Sequence, residues 1–216
     1  MNPGSLIISN HPNVTIINLI MKITEGPRPG QFPGKDGHAF IDYQNWYAIQ
    51  TLSGCEKKLV LTLQILLKKI QLYLPTRKVI HQLKGVQHIM ELPLFPGYIF
   101  VYRSISESLD ALDKADARIV FKPVMANGKY LEANKNEMKF LFEVTGEGGV
   151  IELSKGVVME NEEVLIIQGP LKQLKGKILF IDKRKNKAKV RIEFMNRMVE
   201  VSLGLEILSR PLPKVQ

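Results

Sequence analysis

Asn45-Trp46-Tyr47-Ala48-Ile49-Gln50-Thr51-Leu52-Ser53-Gly54-Cys55-Glu56 is the stretch that decides the fold of this 216-residue chain. Trp46 to Thr51 is aromatic and β-branched, which suits a pleated, half-buried surface, so a strand is predicted. Ser53 and Glu56 then stand in a capping-box pattern, where a hydroxyl and a carboxylate each satisfy an amide left free at a helix start. Beyond them Leu59, Val60, Leu63, Leu66, Leu67 and Ile70 recur at spacings of three and four, a stripe that faces a core. Leu74-Pro75 stops the helix.

Further along, strands are predicted over 76–83 and 86–101, turning at Lys84-Gly85 and interrupted by Pro93 and Pro96. Ser104 and Glu107 cap a second helix with Ile105, Leu109 and Leu112 inward. A strand over 118–124 and a turn at Asn127-Gly128 precede a third helix, opened by Asn134 and Glu137 and carrying Met138, Leu141 and Phe142. The order β-α-β-β-α-β-α is that of a ferredoxin-like layer, so residues 45–142 are expected to form an α+β domain. In 92–101 the period of two places Leu94, Pro96, Tyr98 and Phe100 on one face and Phe95, Gly97, Ile99 and Val101 on the other. One face must cover the helices, and the other is open for an interface.

Residues 1–44 hold a β-prone run over 14–20 and a breaker cluster from Gly26 to Gly34, and are expected to be a disordered extension. Residues 143–155, with Gly146, Gly148 and Gly149, read as a flexible linker. From 156 to 210 the texture is short strands, with turns at Asn161-Glu162, Gly169-Pro170, Lys185-Asn186 and Asn196-Arg197. That implies a small β-barrel whose sheet closes to remove its edges. Gly169 and Gly176 read as backbone devices within it.

The net charge is +9, and it is unevenly placed. Within 172–197 ten Lys/Arg face only Asp182 and Glu193. From Lys185 onward cations alternate with small or apolar residues: Lys185, Lys187, Lys189 and Arg191 against Ala188, Val190 and Ile192. A strand sends these to opposite faces, giving a positive ladder over a buried back, which suits the repeating charge of a nucleic-acid backbone. Lys172, Lys175, Lys177, Lys183, Arg184 and Arg197 extend the set. Arginines offer bidentate bonds to phosphate or guanine edges and lysines act as point charges.

Other classes find little support. A lone Cys55 forms no intramolecular disulfide and no Cys-based zinc site, and His11, His38, His81 and His88 share no ligand spacing. There is no phosphate-binding Gly-Lys-Ser/Thr loop, no Gly-x-Ser-x-Gly and no carboxylate cluster, so no enzyme, cofactor or metal is expected. Neither a membrane span nor a secretory signal is read, and a cytoplasmic monomer is expected.

Asn45-Trp46-Tyr47-Ala48-Ile49-Gln50-Thr51 with Ser53-Gly54 and Glu56-Lys57-Lys58, then Leu74-Pro75-Thr76, then Leu92-Pro93-Leu94-Phe95-Pro96-Gly97-Tyr98-Ile99-Phe100-Val101, resemble the N-terminal domain of NusG-type transcription elongation factors. Gly169-Pro170-Leu171, Leu174, Gly176, Ala188 and Val190 resemble their C-terminal KOW domain, an SH3-like barrel. The resemblance spans about residues 45–208. It implies that the first domain binds the clamp helices of RNA polymerase, with Tyr98 and Phe100 lining the pocket and Trp46 or Tyr47 joining them or serving the core. It also implies a second domain that recruits other partners. In housekeeping members that surface is largely apolar and meets a ribosomal protein or a termination factor. The cationic ladder here is more like the LoaP-type processive antiterminators, whose KOW domain binds an RNA hairpin. The alternative is a general elongation or transcription–translation coupling factor.

Overall fold

The computed structural model describes residues 31–33, 39–115 and 118–208; the β-prone run over 14–20 lies outside them. A short antiparallel pair, β1 (Gln31–Pro33) and β2 (Ala39–Ile41), leads into β3 (Trp46–Thr51). The first domain continues through α1 (Glu56–Leu66), β4 (Leu72–Tyr73), β5 (Thr76–Leu83), β6 (Val86–Pro93), β7 (Tyr98–Tyr102), α2 (Ile105–Lys114), β8 (Phe121–Pro123), the ribbon β9 (Met125–Ala126) and β10 (Lys129–Tyr130), and α3 (Lys135–Thr145). Its sheet runs β4-β7-β3-β8, with antiparallel pairing throughout.

Alternation along β3 and β7 builds two cores. Ile49, Ile99 and Val101 pack with Leu59 and Leu63 of α1 and Ile105, Leu109 and Leu112 of α2. On the reverse face Trp46, Ala48, Phe100 and Tyr102 meet Tyr73 and α3 through Met138, Leu141 and Phe142. Full burial of such side chains stabilises by roughly 1.5–3 kcal/mol each.

The structure corrects several expectations. The long strand over 86–101 is two strands, because the chain turns between Pro93 and Tyr98, where the Tyr98 N–H donates to the Phe95 carbonyl. Leu94 and Phe95 are consequently buried in one core rather than on opposite faces. The capping box at Ser53 is half formed: Cys55 is the N-cap with no side-chain bond. Glu56, fully buried, accepts from the N–H groups of Gly54 (2.9 Å) and Gly97 (2.6 Å), tying helix α1 to the β6–β7 turn. Ser104 likewise makes no side-chain cap, whereas Asn134 does, accepting from the Asn136 N–H.

Two segments expected to lie outside the folded domains are drawn into them. Ile41 and Tyr43 of the expected extension pack on the Phe142 core, and Asp42 accepts from the Tyr102 hydroxyl. Within 143–155, Thr145 ends α3 and bonds the Tyr73 hydroxyl at 2.9 Å. Ile151 is buried in β11 (Val150–Ile151), which pairs parallel with β5 at Thr76 and Arg77. The apolar pair Val150-Ile151 explains this: an open strand edge beside it can satisfy its backbone groups.

The second domain comprises β12 (Ser154–Val158), β13 (Val164–Gln168), two 3-10 turns over Pro170–Lys172 and Lys175–Lys177, β14 (Ile178–Asp182), β15 (Lys187–Phe194) and β16 (Arg197–Leu208). The sheet order is β13-β12-β16-β15-β14. It curls without closing: β13 and β14 remain unpaired edges, separated by an apolar groove of about 1120 Å³ lined by Val158, Met159, Val164, Ile166, Ile178 and Ile181. Among the described residues no strand pairing joins β13 to β14, so the small barrel is partly open at that point.

Candidate functional site

Strand β7 points Ile99 and Val101 at α1 and α2, so Tyr98 and Phe100 face the other way, as the period of two requires. That face is not open. Phe194, at the end of β15, stacks on Phe95 at 3.8 Å between ring centroids and meets Tyr98 and Phe100 edge-on at 5.3 and 5.9 Å. Phe100 is fully buried and Tyr98 half-buried. Trp46 is core, edge-on to Tyr73 and Phe142 with its indole N–H donating to the Asp42 carbonyl. Tyr47 is half-buried against the helix-side core. Neither joins the Tyr98 patch.

Three further contacts hold the curled sheet over this face. Glu137 of α3, predicted as the return half of a capping box, instead accepts from the backbone N–H groups of Met195 (3.0 Å) and Asn196 (3.1 Å) in the β15–β16 turn. Both turn residues have positive φ, which aims their amides outward together. Gly204 of β16 lies against the Lys78 carbonyl of β5; a Cβ there would stand 2.6 Å from that oxygen. Lys177 lies 5.0 Å over the ring of Phe140. One continuous core therefore runs from the first domain's sheet into the second.

The cationic ladder has the geometry its alternation predicts. Ala188, Val190, Ile192 and Phe194 point inward and are buried, leaving Lys187, Lys189 and Arg191 on the outer face. The ladder is partly neutralised. Glu200, opposite on β16, holds Lys189 at 2.6 Å and Arg191 at 3.3 Å, and these two cations keep its carboxyl below the usual range. Lys183 pairs with Glu162 and Lys185 with Asp182. Lys183, Arg184 and Lys185 adjoin the ladder in the β14–β15 turn, while Lys172 and Lys175 line the apolar groove. Lys177 and Arg197 stand apart from the ladder, at the seam and in the β15–β16 hairpin.

Sequence reasoning missed four participants. Glu200 carried no signal and Glu137 read only as a helix cap, since what they contact is set by β15–β16 register and domain docking. Phe194 is an ordinary inward residue in the alternation. Phe180 is the fourth: it is 53% exposed on edge strand β14 and is the register partner of Lys189. Ile178-Leu179-Phe180-Ile181 is four apolar residues in a row on a five-residue strand, and they cannot all face inward. Gly176, expected as a backbone device, sits in open space, whereas Gly169 has φ +95° and lies against Ser154. Among the described residues no group of three or more His, Cys, Asp or Glu could hold a metal, and no helix is long and apolar enough to cross a membrane.

An α+β domain with an aromatic sheet face is joined here to a curled five-stranded sheet with a cationic outer row. Residues 44–141 match the family model described as NusG, transcription termination factor nusG. The chain is similar to the transcription termination/antitermination protein NusG of Borreliella burgdorferi, 27% identical over 76% of this chain and 97% of that one. To the protein of the same name from Thermus thermophilus it is 26% identical, covering 73% and 94%. Among solved structures, "Domain interaction in Thermotoga maritima NusG" aligns at 22% identity and a TM-score of 0.40, covering 74% and 93%.

Proposed function

We propose that this protein is a specialised, LoaP-type antitermination factor. Its first domain binds the clamp helices of RNA polymerase through the face carrying Tyr98 and Phe100, and its second domain contacts a structured RNA. The observation that carries the RNA reading is the outward row Lys187, Lys189 and Arg191 above a fully buried back. Recognition by backbone and shape fits an RNA hairpin, which offers both phosphates and splayed bases. Because Phe194 covers Tyr98 and Phe100, polymerase binding on this reading requires the curled sheet to move off that face.

Fluorescence anisotropy of the full chain with a library of structured leader RNAs, across a salt series, tests the reading. Contact with about five phosphates predicts a slope of log affinity on log salt near −3.5. No RNA affinity above that of an unrelated protein of equal charge would end it. A second reading is a coupling factor whose second domain meets a ribosomal protein or a termination factor. The apolar groove between β13 and β14 favours it, since such a surface suits a protein partner.

A further inference from the structure

We infer that Phe180 is a stacking platform for one unpaired RNA base, so that the second domain reads a loop or bulge and not only the charge of a backbone. The inference rests on the RNA reading above. Its physical basis begins with an irregularity. The β14–β15 register shifts between Ile178 and Phe180, which inserts an extra residue and leaves both Leu179 and Phe180 facing solvent. A bulge of this kind re-aims a side chain, and here it lifts a large aromatic ring out of the sheet beside the cationic row. The ring is 53% exposed although its strand neighbours Ile178 and Ile181 help line the groove.

The surroundings favour a nucleotide over a protein side chain. Lys189 lies directly across the ladder with its ammonium 5.8 Å from the ring centroid. Glu200 holds that ammonium at 2.6 Å and so fixes it relative to the ring. Lys187 is on the same outer face of β15, and Lys183, paired with Glu162, lines a shallow cavity of about 400 Å³ together with Phe180, Glu162 and Glu163. Protein–protein interface cores are depleted in lysine, whereas a flat ring beside the outer row Lys187, Lys189 and Arg191 provides a π-face for a base and cations for its flanking phosphates. Single-stranded loops are the part of an RNA whose bases are free to stack this way.

The test uses the full chain and two RNA probes of equal length: a hairpin with a randomised six-nucleotide loop, and a fully paired duplex. The wild type is expected to prefer the hairpin by about tenfold, a typical worth of one base–aromatic stack. Phe180→Ala should abolish that preference while leaving duplex affinity within twofold. Phe180→Tyr should keep it, and Phe180→Leu, which retains apolar bulk without a π-system, should lose it. Lys187→Gln should weaken both probes alike. An NMR readout adds a signature that packing alone would not produce: upfield ring-current shifts of loop base protons, absent in Phe180→Leu. If the wild type binds RNA with a salt slope but Phe180→Ala leaves hairpin preference intact, the platform is refuted while the RNA reading survives, and the exposed ring is left to a protein partner. If neither probe binds at all, the RNA reading itself falls and the platform with it.

Discussion

Replacing Phe194 by Ala should release the curled sheet from the face carrying Tyr98 and Phe100, the face proposed to bind polymerase. All three ring partners of Phe194, namely Phe95, Tyr98 and Phe100, belong to the first domain, so the loss falls on docking more than on the second domain's own core. Truncating a buried phenylalanine costs about 3–5 kcal/mol, to which the lost aromatic pairings contribute. Taking about 3 kcal/mol for docking shifts the closed-to-open equilibrium by roughly 100-fold. Apparent polymerase affinity equals intrinsic affinity scaled by the open fraction, so it should rise by up to that factor if the closed form dominates. With Cys55 replaced by Ser, dyes at Lys114→Cys and Arg184→Cys report domain separation by energy transfer, alongside titration with core polymerase. Glu137→Ala, which orphans the Met195 and Asn196 amides, should act in the same direction by a route that leaves the aromatic face untouched. Unchanged dye distances and unchanged polymerase affinity in both folded variants would refute the claim that these contacts hold the domains closed.

Tyr98→Ala, at a half-buried position, should weaken polymerase binding by about 2–4 kcal/mol if Tyr98 anchors the interface, with thermal unfolding little changed; wild-type affinity would remove it from the interface. Because Glu200 restrains Lys189 and Arg191, Glu200→Gln should raise RNA affinity and steepen the salt slope by about one unit, while Lys187→Gln should flatten it by about 0.7; opposite signs in anisotropy titrations would count against the ladder. The Tyr102 hydroxyl is pushed up to about 12 by burial and by donating to Asp42. An unfolded tyrosine ionises near 10, so this group's stabilisation is full below about pH 10 and is lost as pH rises towards 12. Denaturant melts at pH 9 and 11 should show the drop, and Tyr102→Phe should reduce it. Amide order parameters of Val150 and Ile151 should match those of β5, since the two strands are paired; values typical of a free linker would show the pairing does not persist in solution.

How much was legible in the chain follows from the range of the physics involved. Alternation is a local property, so the outward row Lys187, Lys189 and Arg191 over Ala188, Val190 and Ile192 could be read directly, as could the split of Tyr98 and Phe100 from Ile99 and Val101. Periodicity likewise located α1, α2 and α3, although α1 ends at Leu66, before the expected stop at Leu74-Pro75, and of its expected stripe only Leu59 and Leu63 are fully buried within the helix. Local rules failed where a group had two competing partners. Glu137 fits a helix cap by spacing, yet its carboxylate gains two amides from a turn 58 and 59 residues away, and those amides are in place only after the domains dock. Glu56 returns to Gly54 as the cap pattern requires but also bonds Gly97, which no local pattern encodes.

The sequence by itself determined the three helices, the alternating faces of Tyr98–Val101 and of β15, and the cationic row, because each depends on neighbours a few residues apart. Tertiary structure alone decided the rest. It set Phe194 against Phe95, Tyr98 and Phe100, paired Glu200 with two ladder cations, and placed the bulge that exposes Phe180. It also turned the glycine-rich segment before β12 into a paired strand. Each of these depends on which distant surfaces meet, and an apolar side chain is equally content in its own domain's core or against another's.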